Sequence, residues 1–224
     1  ASYNAYAERF NAEHAGEIAE GKIVALLPSS SRKVSLDYKL SRTTSLYASA
    51  SRGFKSGGYN IRAQATAVPR SADPFKDEQV DSFEIGSKMG LLDQTLFLNV
   101  AAFHNKYKDI QLSIFTAYDS NGDGKDDAFF GDFTNAGSAT INGAEVEYQW
   151  LPTEHWAITG NLAWMDAKFD RYMFKGVNIA SQQKMTNAPD FSGAINLEWR
   201  TPLANGGNLS ARAGYSYQSK VVAT

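Results

Sequence analysis

The chain has 224 residues, enough for one domain or two small ones. A formal charge of −2 argues against a nucleic-acid partner, which would want a basic face. The absence of cysteine excludes disulfides and thiolate metal sites. With 12% aromatics, 18 Gly and 6 Pro, the composition suits many strands joined by turns. The longest apolar run, residues 23–27, is far short of the roughly 20 residues that a spanning helix needs. A mean hydropathy of −0.37 is still compatible with membrane strands, which show lipid only every second residue.

In chain order, residues 1–32 read as a loop excursion. Residues 5–21 within it are rich in Ala and Glu and suit a helical turn or two. Residues 1–10 have neither the basic start nor the apolar stretch of a signal peptide. From residue 33 to 224 the pattern is strand after strand, over 33–40, 45–55, 79–89, 95–106, 140–150, 156–168, 191–200 and 208–220. The connections alternate in length. Short ones at 41–44, 90–94, 151–155 and 201–207 are rich in Ser, Gly, Asp, Pro and Asn. Long ones are expected at 56–78, 107–139 and 169–190.

Strand side chains point alternately to opposite faces. Over 140–150, Ala144, Val146, Tyr148 and Trp150 share one face, and Gly143, Glu145, Glu147 and Gln149 share the other. Phe83 and Ile85 oppose Glu84 and Lys88, and Leu197 and Trp199 oppose Glu198 and Arg200. The segment 95–106 carries bulky residues on both faces, and its orientation stays open. Gly143 and Gly160 are read as bulges or as inward sites where another segment comes close. Alternation alone fits a soluble antiparallel sheet with inside and outside exchanged. The short–long loop rhythm and the aromatics ending the apolar faces favour an all-β, antiparallel transmembrane β-barrel, present here in part. In that reading the charged faces, with Glu84, Lys88, Glu145, Glu147, Glu198 and Arg200, line the lumen.

Several segments resemble the β-barrel of TonB-dependent outer-membrane receptors. They include Tyr38, then Leu46–Ala48, Ser51, Gly53–Lys55 and Gly57–Asn60. A second block comprises Pro74–Phe75, Glu78, Val80, Ser82, Glu84–Gly86 and Lys88. A third holds Asn99, Ala101–Phe103, Tyr107 and Asp109–Gln111, and a fourth Asn135–Gly137, Gly143, Glu145 and Glu147. The resemblance covers about residues 33–220. It implies about eight or more strands of a 22-stranded barrel in the outer membrane of a Gram-negative bacterium, surrounded by lipid. It further implies uptake of a scarce nutrient, above all a ferric siderophore, driven by the TonB complex through a plug domain that this chain does not contain. Extracellular loops at 54–70, 107–133 and 169–184 would capture substrate, with Tyr59, Phe115, Tyr118, Phe129, Tyr172 and Phe174 as contacts.

The stretch 119–127, DSNGDGKDD, places oxygen ligands at Asp119, Asn121, Asp123, the Lys125 carbonyl and Asp127, with Gly124 at a sharp turn. Calcium is the expected ion and a solvated acidic turn is the alternative. Phe130 stands where an EF-hand would carry its bidentate Glu. His14, His104 and His155 lie in three different segments and no catalytic set emerges, so the chain is not expected to be an enzyme. Two rival readings are a small non-transporting barrel, structural or adhesive, and a soluble, calcium-stabilised β-domain that binds carbohydrate.

Overall fold

A computed structural model describes residues 31–60, 69–174 and 176–223, together with Ala12. Apart from Ala12, the residues of the helical expectation for 5–21 fall outside the described ones. The described chain is one antiparallel sheet built from β1 (Arg32–Lys39), β2 (Thr44–Lys55), β3 (Glu78–Leu91), β4 (Leu96–Tyr118), β5 (Ala128–Thr153), β6 (Trp156–Phe174), β7 (Val177–Asn178), β8 (Phe191–Pro202) and β9 (Asn208–Gln218). The strand order is β1-β2-β3-β4-β5-β6-β8-β9, with the two-residue β7 paired to the upper end of β6. Along that order each strand runs antiparallel to the one before it, as alternating β-branched and aromatic residues separated by turn formers dictate.

The strands at the two ends of that order, β1 and β9, do not pair with each other. The sheet therefore does not close into a small barrel by itself. Among the described residues there is no second layer either. Among the described residues only Ile110, Ala136 and Ala139 are buried apolar residues. A soluble sandwich would bury one face of each sheet against the other, so the soluble β-domain has no counterpart in this architecture.

The register joins the apolar faces of separate strands into one band. Across one row, Leu36, Ala48, Ile85, Ala102, Ala144, Trp164 and Phe191 stand opposite one another in turn. Between Trp156 and Trp164, Phe191 and Trp199, and Leu209 and Tyr217, the band is nine residues tall. That height matches the 9–11 tilted residues a strand needs to cross a bilayer. Aromatics edge both sides of it. Tyr38, Trp150, Trp156 and Trp199 lie toward the tight turns, and Phe83, Trp164, Phe191 and Tyr217 toward the long connections. The orientation of β4 is now decided: Leu96, Leu98, Val100 and Ala102 join the band, and Phe97 and Phe103 join the charged face.

Two expectations are corrected. Residues 107–139 are mostly strand, because β4 continues to Tyr118 and β5 begins at Ala128, leaving only 119–127 as loop. Likewise β6 runs on to Phe174. The alternation breaks at Asp109, which has φ 52°, and the β4–β5 register shifts between Tyr107 and Gln111. Beyond a bulge the period-2 pattern changes phase, so the continuation is invisible to a search for strict alternation. The second correction concerns glycine. Neither Gly143 nor Gly160 lies at a register shift. Gly143 is roofed by the ring of Phe103, and a Cβ on Gly160 would sit 2.5 Å from the Tyr148 hydroxyl. Gly160 also lies on the apolar face with Ile158 and Leu162, not on the charged one. Cross-strand aromatics cover these glycines, as Tyr47 covers Gly86.

Candidate functional site at the long-connection end of the sheet

The β4–β5 hairpin rises beyond its neighbours, and the segment leading into β3 is fastened to its side. Gly58 and Phe75 form a two-bond bridge that closes that segment on itself. Asn135 on β5 then treats Lys76 as a strand partner. Its Oδ1 accepts from the Lys76 N–H at 2.6 Å, and its Nδ2 donates to the Lys76 carbonyl at 2.9 Å and to the Asp109 carbonyl at 2.8 Å. Gln111 Nε2 donates to the carbonyls of Ser56 at 2.9 Å and Lys76 at 3.1 Å, while the Gln111 N–H donates to Glu78 Oε2 at 3.0 Å. Asn60, itself buried, donates to the Gly131 carbonyl at 3.1 Å. The bulge at Asp109 turns Gln111 and Asn135 into a directly opposed pair. The sequence motifs carrying these two residues thus build a polar clamp.

The aromatics expected as contacts are distributed around this end. Phe115 and Phe129 are strongly exposed, at 70% and 76%, and share one face of the hairpin, as Ala117 opposes Phe129 and Phe115 opposes Gly131. Phe133 is on that same face and meets Phe75 with ring centroids 6.0 Å apart. Tyr118 lies on the opposite face of the hairpin. Tyr172 and Phe174 lie near the end of β6, where Tyr172 meets Phe169 edge-on at 5.1 Å. Tyr59 is exposed beside the Gly58–Phe75 bridge. Phe115 and Phe129 share one face of the hairpin with Phe133, which meets Phe75, and the other four expected positions, Tyr59, Tyr118, Tyr172 and Phe174, stand apart. The sequence did not mark Phe75 and Phe133 as a contacting pair, since aromatic content alone does not tell which loop aromatics meet.

At the hairpin tip the acidic turn closes on its own backbone. Asp119 accepts N–H bonds from Gly124 and Gly122, each at 2.7 Å, and from Asn121 and Asp123 at 3.1 and 3.3 Å. These donors, Gly124 foremost, hold its carboxyl below the ordinary aspartate range. The pattern repeats two residues at a time, from Asp123 N–H to Asn121 Oδ1 and from Lys125 N–H to Asp123 Oδ1, both 2.9 Å. Asp127 instead turns to the Ser120 N–H at 2.8 Å. Gly122 and Gly124 take φ of 83° and 85°, where a side chain would be strained. Among the described residues no three His, Asp or Glu side chains converge as a ready-made metal cage.

Residues 22–224 match the family model described as TonB dependent receptor-like, beta-barrel. The chain is 28% identical over 186 residues to the metal-pseudopaline receptor CntO of Pseudomonas aeruginosa, covering 82% of this chain and 23% of that protein. It is 25% identical to the pesticin receptor of Yersinia pestis over 169 residues, covering 75% of this chain and 23% of the relative. Its sheet is similar to the crystal structure of the ferric yersiniabactin uptake receptor FyuA from Yersinia pestis. That match has a TM-score of 0.61 at 22% identity, over 82% of this chain and 25% of the other. The chain thus spans about a quarter of the length of the proteins it matches.

Proposed function

The chain belongs to the TonB-dependent receptor-like β-barrel family of the Gram-negative outer membrane, and from that premise we propose that it forms part of a barrel importing a metal chelate, a ferric siderophore above all. The observation that carries this reading is the apolar band, bounded by aromatics on both sides and backed by a charged face across the whole sheet. In this reading lipid covers the band, with Trp and Tyr at the headgroup level. Glu84, Lys88, Glu145, Glu147, Glu198 and Arg200 then face a water-filled or plugged lumen. The strands pairing with β1 and β9 would come from the rest of the barrel, as would the plug through which the TonB complex acts.

The clamped residues 56–60 and 69–77 and the raised β4–β5 hairpin stand at the end where the long connections gather, the end expected to face the medium. Phe115 and Phe129, with Tyr59, Tyr118, Tyr172 and Phe174 around them, are proposed substrate contacts. Names of similar proteins support a chelated metal as cargo: one is a metal-pseudopaline receptor and another a ferric yersiniabactin uptake receptor. The test is uptake of labelled ferric siderophores by cells whose only such receptor is the full-length protein. Uptake of at least one that disappears on deletion of TonB is expected. Failure with every siderophore and every free or chelated transition metal offered would reject the reading.

Calcium at the hairpin tip is proposed separately, on the spacing of Asp119, Asn121, Asp123, Lys125 and Asp127 alone. Binding would need the Asp127 carboxylate to leave Ser120 and join the oxygens of Asp119, Asn121 and Asp123. Protease sensitivity of the tip that is unchanged by millimolar calcium would reject it.

A further inference from the structure

β6 outruns its partner. It pairs with β8 only from Trp156 opposite Trp199 to Trp164 opposite Phe191, yet it continues to Phe174. The last bond of that ladder runs from the Met165 N–H to the Asp190 carbonyl at 3.0 Å. Bonding on this edge resumes beside the β6–β7 pairing, where the Ile179 N–H donates to the Tyr172 carbonyl at 2.8 Å. Among the described residues no backbone partner meets the edge between these two points. Strand backbone groups point to alternate edges, so those of Ala167 and Phe169 face the same way as those of Met165. The bulge against β5 at Asp170 then shifts the phase, which is why Tyr172 takes up the bonding again.

Residues 186–190, which lead into β8, are drawn away from that edge. Thr186 forms a bridge with Val222, and the Asn187 N–H donates to the Val222 carbonyl at 3.1 Å. Asn187 makes the necessary turn with φ 55°, in the left-handed region that Asn tolerates better than most residues. Pro189 explains why β8 does not simply extend beside β9. The Ser219 N–H donates to the Phe191 carbonyl at 2.8 Å, and the next donor owed to β9 would be the N–H that Pro189 lacks. Between the free edge of β6 and this detour lies a cavity of about 730 Å³, bordered by Lys168, Phe169, Met185, Lys220 and Val222 among others. A cavity of that volume can hold a small molecule.

The register that joins β6 to β8 has an unused continuation. Carried past Trp164 and Phe191, it sets Pro189 opposite Asp166, Ala188 opposite Ala167, Asn187 opposite Lys168 and Thr186 opposite Phe169. The donors required toward β6 are the N–H groups of Ala188 and Thr186, and both exist. Pro189 falls at a position that owes β6 no donor. We propose that residues 186–190 are a two-position segment, seated on Val222 in one position and zipped onto β6 in the other. Zipping exchanges the Val222 contacts and the left-handed Asn187 for reciprocal bonds of Ala167 with Ala188 and of Phe169 with Thr186. It also fills the cavity. A molecule lodged there therefore holds the segment in the seated position, the only one that leaves room for it. Neither position depends on which cargo the receptor carries.

The experiment uses the full-length receptor in outer-membrane vesicles, with one pair of cysteines at a time as the only ones present. Thr186→Cys/Val222→Cys reports the seated position, and Ala167→Cys/Ala188→Cys reports the zipped one. Ala163→Cys/Ser192→Cys, the equivalent pair within the existing β6–β8 ladder, serves as the control for this geometry under the same mild oxidant. Both reporter pairs are expected to form disulfides. Asn187→Gly should raise the seated-to-zipped ratio about fivefold, because glycine takes the left-handed turn freely, and Asn187→Thr should lower it about as much. If the control crosslinks and Ala167→Cys/Ala188→Cys does not, even with Asn187→Thr, the segment has one position and the proposal is overturned. Failure of Thr186→Cys/Val222→Cys beside a working control overturns it too. Hydrogen exchange tests the same point without cysteines. The amides of Ala167 and Phe169 should exchange faster with Asn187→Gly and more slowly with Asn187→Thr, and rates unchanged in both variants would likewise reject a second position.

Discussion

Asp119 illustrates how one side chain can organise a turn at the exposed tip of a hairpin. Four backbone N–H groups converge on its carboxylate, and those bonds favour the ionised form. Because the folded-state pKa is depressed, the ordering is complete above the ordinary aspartate value of about 3.9 and is lost as pH falls through the lower folded value. Amide protection at Gly122 and Gly124 is therefore expected to be level from neutral pH down to about 5 and to decline below about 4. Asp119→Ala should remove that protection at every pH and leave β4 and β5 unaffected. Hydrogen exchange followed across pH checks both. A second residue-scale expectation concerns Gly86, where a Cβ would lie 2.5 Å from the Tyr47 ring. Gly86→Val should cost about 1–3 kcal/mol through overpacking, read as a lower urea midpoint of the folded barrel. Pairing it with Tyr47→Ala should recover part of the loss.

At the scale of elements, the β4–β5 hairpin and the segment before β3 behave as one unit because polar side chains stand in for strand pairing. Asn135 alone makes three hydrogen bonds to backbone, two of them to Lys76. Asn135→Ala removes these three exposed bonds and leaves the Lys76 carbonyl to Gln111 alone, which costs about 0.5–1.5 kcal/mol. Hydrogen exchange over residues 69–77 should accelerate accordingly while β2 and β3 stay protected. Gln111→Ala should act in the same direction, and the two substitutions should be less than additive because both hold Lys76. Unchanged exchange in the double variant would show that the Gly58–Phe75 bridge and the Phe75–Phe133 contact suffice. The same region shows where local reading stops. Asn135 and Gln111 were visible as motif residues, but their partners are 59 and 55 residues away in the chain. No local pattern encodes that distance.

At the scale of the molecule, the decisive property of the described residues is a single layer with one apolar face and two end strands that do not pair with each other. Exposed apolar side chains such as Val34, Leu36, Ile85 and Tyr215, each more than 60% exposed in the isolated sheet, need a cover. The 224-residue chain by itself is expected to sediment without detergent and to remain dispersed with it. A monodisperse, detergent-free monomer would contradict the membrane assignment. All four tryptophans, Trp150, Trp156, Trp164 and Trp199, lie on the apolar face. In reconstituted full-length protein, brominated acyl chains should quench their emission, and Trp164→Phe should lower the quenchable fraction.

Much of this architecture could be read locally. Period-2 alternation assigned Ala144–Trp150 and Ile158–Trp164 their faces, turn residues marked the tight hairpins, and ordered motifs pointed to the receptor family. These signals survive without tertiary information because side-chain direction in a strand and turn preference are properties of neighbouring residues. The tertiary structure alone decided which residues stand opposite one another. Register joined separate apolar faces into one band, set aromatics along both of its edges, and carried β4 and β5 past the bulge at Asp109. Register is fixed by pairing between strands remote in sequence, where a slip of one residue exchanges every face. Only the assembled sheet determines it.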